Sequence, residues 1–346
     1  MKGIKRLAQH LDISIGTVSR ALNGKPDVNE ETRKRVLDAA ARLGYVPNQA
    51  GQALRRGATN AIGFMIESND ETETNSDNFF LGVIGGLTGA LLKHNLDLVV
   101  LPCSVHEDPH DYLQRIVARR LVDAVIISAT QRGDRRIDLL KAARIPFIAL
   151  GRTGGPDEHA WIDLDFEGVA HRAVARLAAR GHRQIAVAIP DNEINLGYVF
   201  REAFEDAMAQ HGLAVDPSHV IRARSSEHGG YIIGNALLAM EKRPTAIVLV
   251  YEMMAIGLYR RLNEAGLTPG RDLAVVGFRE GPQSKFLSPA LTSFRMSLRD
   301  LGIGLAEGLL ATMPAYADTY PAGAVHKLWP MELIEGESDA MVIGRG

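Results

Sequence analysis

Residues 4–23 read IKRLAQHLDISIGTVSRALN, and this stretch decides what the rest of the chain can be. Two short amphipathic segments, Ile4–Leu11 and Ile15–Asn23, flank a break at Asp12-Ile13-Ser14. Ile4, Leu7, Ala8 and Leu11 recur at helical spacing and form one apolar stripe. Ser14 is a good N-cap for the second segment. Val18, Ala21 and Leu22 turn that segment inward and leave Ile15, Gly16, Thr17, Ser19 and Arg20 outside. The pattern predicts a helix-turn-helix, a motif whose second helix enters the DNA major groove N-terminus first. An ordinary helical hairpin with a polar face shares the stripe, so the neighbouring sequence has to discriminate.

Working outward, Asn23-Gly24-Lys25-Pro26 breaks the chain, and a third helix is expected over Glu30–Leu43. Val36, Ala39, Ala40 and Leu43 form its inner stripe, and Gly44 ends it. Residues 1–46 thus make a small all-α domain. Pro47-Asn48 opens a short helical stretch, Gln49–Arg56, too polar and too brief to be stable alone. With the linker Gly57–Asn60 it forms a separate segment, residues 47–60. From Ala61 the pattern changes. Apolar strand runs at 61–66, 98–102, 124–128 and 147–150 alternate with helical patterns at 80–94, 112–121 and 137–143. A second series follows, with strands at 184–189, 246–250 and 273–278 and helices at 201–211, 231–240 and 254–265. Near-continuous apolar strands separated by helices predict parallel sheets covered on both faces. The expected fold class is an all-α head followed by an α/β body of two doubly wound subdomains. A ligand of such a body belongs in the cleft outside the strands' carboxyl ends.

Charge supports the division. Residues 1–60 carry eleven Lys/Arg against five Asp/Glu, and the remainder carries 28 against 36. A basic head on an acidic body implies that the head alone meets a polyanion. Cys103 is the single cysteine and lies in an apolar strand, where it reads as a small buried hydrophobe. MKGIKRLAQHLD lacks the apolar run of a signal peptide, and no stretch is long and apolar enough to span a membrane, so a cytoplasmic protein is expected. No GxxxxGK[ST], HExxH, GxSxG or cysteine-based metal pattern occurs, which argues against an enzyme and against a cofactor or metal site.

The stretch resembles the DNA-binding head of the lactose-repressor (LacI/GalR) family, and the match extends through residues 17–66. Later stretches agree in order: DFEGVAHRAVARLAARGHRQIAVAI (165–189), RPTAIVLV (243–250), LAVVGF (273–278) and SPALTSF (288–294). The resemblance implies a periplasmic-binding-protein-like body over 61–336, with three crossings near 160–163, 289–292 and 320–323. An N-subdomain would comprise about 61–160 and 292–320, a C-subdomain about 163–289 and 323–336, and 337–346 would be a loose tail. It implies a transcriptional regulator, a repressor, controlled by a small-molecule effector such as a sugar or sugar derivative. A solute-binding protein for transport shares the body fold and is the alternative; its signal peptide is replaced here by a basic helix-turn-helix.

On the DNA side, Arg20 is the leading base reader, because arginine on guanine is the commonest specific major-groove contact; a phosphate contact is its alternative. Ile15 and Gly16 lie where family members choose operators, and neither offers a polar side chain. Thr17, Ser19, Asn23, Asn29 and Thr32 suit phosphates. Leu54 matches the leucine that family members wedge between central base pairs in the minor groove, with Arg55 and Arg56 beside it on phosphates. A wedge built from two copies implies a homodimer on a pseudo-palindromic double-stranded operator, kinked at a pyrimidine–purine step such as CG. Higher oligomers stay open, although the tail lacks leucine heptads. One departure is Asp12, where glycine is usual in the turn; Asp tolerates the left-handed conformation better than most residues.

On the effector side, the resemblance places Phe79, Phe80, Asp163, Phe200, Tyr251, Glu252, Arg279 and Glu280 at pocket positions. Arg279 stands where many sugar-binding members carry an acid, and Phe200 where they carry an arginine. The pocket could take a neutral sugar through Tyr251, Glu252, Glu280 and the Phe rings, or a sugar acid or phosphate through a bidentate Arg279. Arg279 could equally pair with Glu280 or Glu252. His182, in Arg180-Gly181-His182-Arg183, reads as a structural turn residue.

Overall fold

A computed structural model of the chain describes residues 3–22, 25–45, 58–68, 79–156, 159–320, 323 and 325–341. The chain divides into two compact units, Met1–Asn60 and Ala61–Gly346.

In the first unit, α1 (Ile4–Leu11), α2 (Ile15–Leu22) and α3 (Glu30–Arg42) surround one small core. Leu7, Ala8, Val18, Ala21, Val28, Val36, Ala39 and Ala40 are buried in it, so the expected stripes face inward. Asp12 adopts the left-handed conformation (φ 54°, ψ 44°) and ends α1. Ser14 Oγ accepts the Thr17 N–H at 3.0 Å and caps α2. Asn29 Oδ1 accepts the Thr32 N–H at 2.7 Å and caps α3. Gly44, at φ +59°, closes α3 as a left-handed stop.

The second unit begins with β1 (Ala61–Ser68), α4 (Phe79–Leu92), β2 (Asp97–Ser104), α5 (Pro109–Ala118), β3 (Ala124–Ile127), α6 (Arg135–Ala143), β4 (Phe147–Leu150) and β5 (Trp161–Leu164). It continues with α7 (Phe166–Ala179), β6 (Ile185–Pro190), α8 (Asn195–Gln210), β7 (Val220–Ala223), α9 (Glu227–Ala239), β8 (Ala246–Leu249), α10 (Met253–Glu264) and β9 (Ala274–Gly277). Last come β10 (Ser293–Arg295), α11 (Leu298–Leu310), β11 (His326–Trp329) and β12 (Glu332–Ile334). One parallel sheet runs β11-β5-β4-β3-β1-β2, and another runs β7-β6-β8-β9. β10 and β12 pair antiparallel.

Successive strand residues go to opposite faces. Ile62, Phe64, Ile126, Ile148 and Ile162 enter the large core that also takes Ile185, Val187, Val248 and Val276 from the other sheet. Met65, Val125, Ile127, Phe147 and Trp161 enter a core on the opposite face. Helices α4 and α11 cross closely at Gly86 and Gly302, where an added Cβ would lie 2.0 Å from the Arg299 carbonyl oxygen or 2.1 Å from that of Val83.

Two expectations need correction. Residues 326–329, assigned to the C-subdomain from sequence, pair with β5 in the six-stranded sheet; β5 itself lies at the expected first crossing. The segment from Glu337 is not a loose tail as far as it is described. Ser338 and Asp339 are buried, at 0% and 1% exposure. Ser338 Oγ donates to the Val275 carbonyl at 2.6 Å. The Asp339 carboxylate accepts from Thr292 Oγ1 at 2.7 Å and pairs with Arg176 and Arg180. His182 belongs to the same lock, with Nδ1 2.9 Å from Thr245 Oγ1 and Nε2 3.0 Å from the Ala340 carbonyl, which is the structural part expected of it. Cys103 is buried, and burial pushes its thiol up to about 11.

Candidate DNA-binding face and effector cleft

Within the head, Ile15, Gly16, Ser19 and Arg20 share one face of α2 by helical spacing. Ile15 is 44% exposed, a large apolar side chain held out toward solvent at the helix start. A Cβ on Gly16 would meet only Ser14 Oγ, at an ordinary 3.5 Å, so the fold of the head does not itself require glycine there. Arg20 sits 3.6 Å from Asp27 with both side chains more than half exposed. Such a pair is weak and solvent-screened, so the guanidinium is available to a better partner. Thr17 Oγ1 lies 2.9 Å from Ser14 Oγ. The side chain of Asn29 is committed to capping α3, where its Oδ1 accepts the Thr32 N–H. Asn23, Leu54 and Arg55 lie outside the described residues.

In the body, a cleft of roughly 800 Å³, mouth included, opens at the carboxyl ends of β3, β4, β5, β8 and β9. Phe79 and Phe80 at the start of α4, Asp163 at the end of β5, Tyr251 and Glu252 after β8, and Arg279 after β9 all line it. Fold topology explains the convergence: parallel strands deliver their following loops to one rim. Arg279 forms an ion pair with Glu252, the side chains 7% and 4% exposed. Its guanidinium carbon lies 5.0 Å from the centroid of the Phe79 ring. Phe79 and Phe80 meet edge to face at 5.2 Å. Across the cleft, Arg152 Nε donates to Asp163 Oδ2 at 3.1 Å, and Arg152 also pairs with Glu167. The Leu164 N–H donates to Asp163 Oδ1 at 2.9 Å. Burial pushes the Asp163 carboxyl up to about 7 against the opposing pull of Arg152.

Two positions expected in the pocket are elsewhere. Phe200 is fully buried on α8 and packs edge to face on Phe278, 6.1 Å between centroids, behind the cleft wall. A phenyl ring has no reason to meet water where a core is available. Glu280 turns away to Arg295, at 2.8 Å, and Lys285, at 3.7 Å. Arg279 has therefore taken the Glu252 partner and left Glu280, itself partly buried, to Arg295 and Lys285. Sequence reasoning missed Arg152, Ser128, Thr130, Phe166 and Phe278, all of which line the cleft. The rule that ligands sit beyond strand carboxyl ends could have found Arg152, two residues after β4. It also missed a strap that closes one side: Gln131 bridges Ile194, the Asn195 N–H donates to the Thr130 carbonyl at 2.8 Å, and Asn195 Nδ2 donates to the Arg152 carbonyl at 2.8 Å.

Comparison with known proteins gives the family. Residues 3–48 match the model for bacterial regulatory proteins of the lacI family, and residues 174–338 that for a periplasmic binding protein-like domain. The HTH-type transcriptional regulator AglR of Rhizobium meliloti (strain 1021) is 34% identical over 337 residues, covering 96% of this chain and 92% of AglR. The chain belongs to the LacI family of transcriptional regulators. Among solved structures, the Lac repressor dimer bound to operator and the anti-inducer ONPF superposes with a TM-score of 0.82 at 22% identity, covering 96% of this chain and 98% of that one. A LacI-family regulator from Enterococcus faecium with bound ribose gives a TM-score of 0.66 at 25% identity, over 81% of this chain and 98% of that one. As a LacI-family member, the chain is a DNA-binding transcriptional regulator with an α/β body of the periplasmic-binding-protein type. Among the described residues no helix is long and apolar enough to cross a membrane.

Proposed function

We propose that this LacI-family regulator is a dimeric repressor, bound to a pseudo-palindromic operator and controlled by a small carbohydrate held in the body cleft. It would act in the cytoplasm, where the operator is, and would bind its ligand without transforming it. The observation that carries the effector half is the convergence of Phe79, Phe80, Asp163, Tyr251, Glu252 and Arg279 on one cleft at the strand ends. Aromatic walls with a few convergent charged groups suit a saccharide, whose C–H faces stack and whose hydroxyls hydrogen-bond. The ribose carried by the Enterococcus faecium relative supports the same class. The DNA half rests on the exposed face of α2 and the basic balance of the first sixty residues.

Selection of the purified chain on random duplex DNA at fixed salt, followed by fluorescence anisotropy on the enriched sites, tests the reading. The expected product is an inverted repeat bound by two protomers, with an affinity that at least one saccharide changes. Enrichment of no sequence would defeat the DNA half, and indifference of the bound complex to every saccharide would defeat the effector half.

A further inference from the structure

We infer that the cleft selects an uncharged polyhydroxylated ligand and rejects its anionic derivatives, and that Glu252 sets this specificity. The inference rests on the cleft being the effector site. Among the described residues two arginines line the cleft, and each already faces acid: Arg279 meets the buried Glu252, and Arg152 meets the buried Asp163 and the partly exposed Glu167. In formal charge Arg279 is cancelled by Glu252, and Arg152 is opposed by two carboxyl groups, Asp163 and Glu167. Glu252 has little room to retreat, because Gly281 packs behind it so closely that a Cβ there would lie 3.1 Å from Glu252 Cγ.

An incoming carboxylate or phosphate offers only acceptor oxygens at its charged end. It could engage Arg279 in two ways. It could displace Glu252, which would then stay buried without its counter-charge, or it could sit beside Glu252 against like charge. At Arg152 the same choice is set by Glu167, and by Asp163 once that carboxyl is ionised. A hydroxyl both donates and accepts. It can take an N–H from a guanidinium while giving its own proton to the adjacent carboxylate, so both ion pairs survive binding. Guanidinium and carboxylate each keep further donor and acceptor sites after pairing, so an array of hydroxyls fits this wall. Phe79 already presents a ring to Arg279 at 5.0 Å, which anchors the guanidinium on the wall rather than in the ligand space.

Isothermal titration calorimetry of the full chain at constant ionic strength tests this with matched probes. These are glucose, galactose, maltose and lactose; glucuronate and galacturonate; and glucose 6-phosphate and galactose 6-phosphate. The expected result is binding of at least one neutral sugar, with its uronate or phosphate at least tenfold weaker. In Glu252→Gln, with folding checked by circular dichroism, the penalty on the anionic probe should shrink as Arg279 loses its counter-charge. If that variant does not fold, the wild-type ratios decide alone. A uronate or phosphate that binds more tightly than its parent sugar overturns the inference and leaves the effector cleft standing. Binding of none of the probes overturns the carbohydrate reading and the inference with it.

Discussion

Arg20 and Asp163 are two single residues whose surroundings translate into measurements. Arg20 meets Asp27 in a screened contact and lies outside the head's core, so its removal leaves that core untouched. Arg20→Ala should weaken binding to the selected operator by about 1–3 kcal/mol, the worth of a good bidentate base contact. The loss should be concentrated at one base position of each half-site. A uniform loss across unrelated sequences would reassign Arg20 to phosphate. Asp163 makes a different prediction. In the unfolded chain an aspartate titrates near 3.9. Folded, it keeps its proton up to about 7, so between those values the native state binds more protons than the unfolded one. Its contribution to stability is therefore full at low pH and is lost as pH rises through the folded value. The thermal midpoint of the wild type should fall, relative to Asp163→Asn, between pH 5 and pH 8. An unchanged difference would show that Arg152 already holds Asp163 ionised.

At the scale of elements, caps and strand ends do most of the positioning. Ser14 starts α2, and Asp12 stops α1 in the left-handed conformation that glycine usually supplies, so the turn survives the substitution. These features were legible because they depend on one or two local residues. β5, β7 and the pair β10–β12 were not read as strands. Each is three or four residues long and carries a charged residue, Asp163, Arg222, Arg295 or Glu332, that breaks the apolar run, and each is held by partners distant in sequence. The segment after Gly336 is illegible from sequence for a related reason. Its composition is polar, yet its polar groups are satisfied in the core by Thr292, Val275, Arg176 and Arg180. Asp339→Ala should cost about 3 kcal/mol, the low end for breaking a buried pair, since Arg176 also holds Glu335. Chemical denaturation would register this, and a chain ending at Gly336 should lose at least as much.

For the molecule as a whole, a basic first sixty residues and an acidic body predict how binding responds to salt and ligand. The logarithm of operator affinity should fall linearly with the logarithm of salt concentration, with a slope set by the phosphates engaged. The affinity of the body for its ligand alone should depend on salt far less, because the charges that line the cleft are paired and largely buried. Coupling between the two must be reciprocal: whatever factor the ligand imposes on operator affinity, the operator imposes on ligand affinity. Calorimetric titration of the ligand with and without a saturating operator duplex measures that factor. Unequal factors would mean that the ligand acts at more than one site.

The amino-acid sequence by itself determined the helix-turn-helix, the alternating α/β body, the regulatory class and six of the eight expected cleft residues. The first two follow from local periodicity and capping, which are written along the chain; the regulatory class and the six cleft positions follow from the resemblance to the LacI family. Only the tertiary structure decided that Phe200 is core, that Glu280 faces Arg295, that Arg152 belongs to the cleft, and that Arg279 is matched to Glu252. Which partner a charge finds depends on which strand ends share a rim, and that is set by sheet order among residues far apart in sequence.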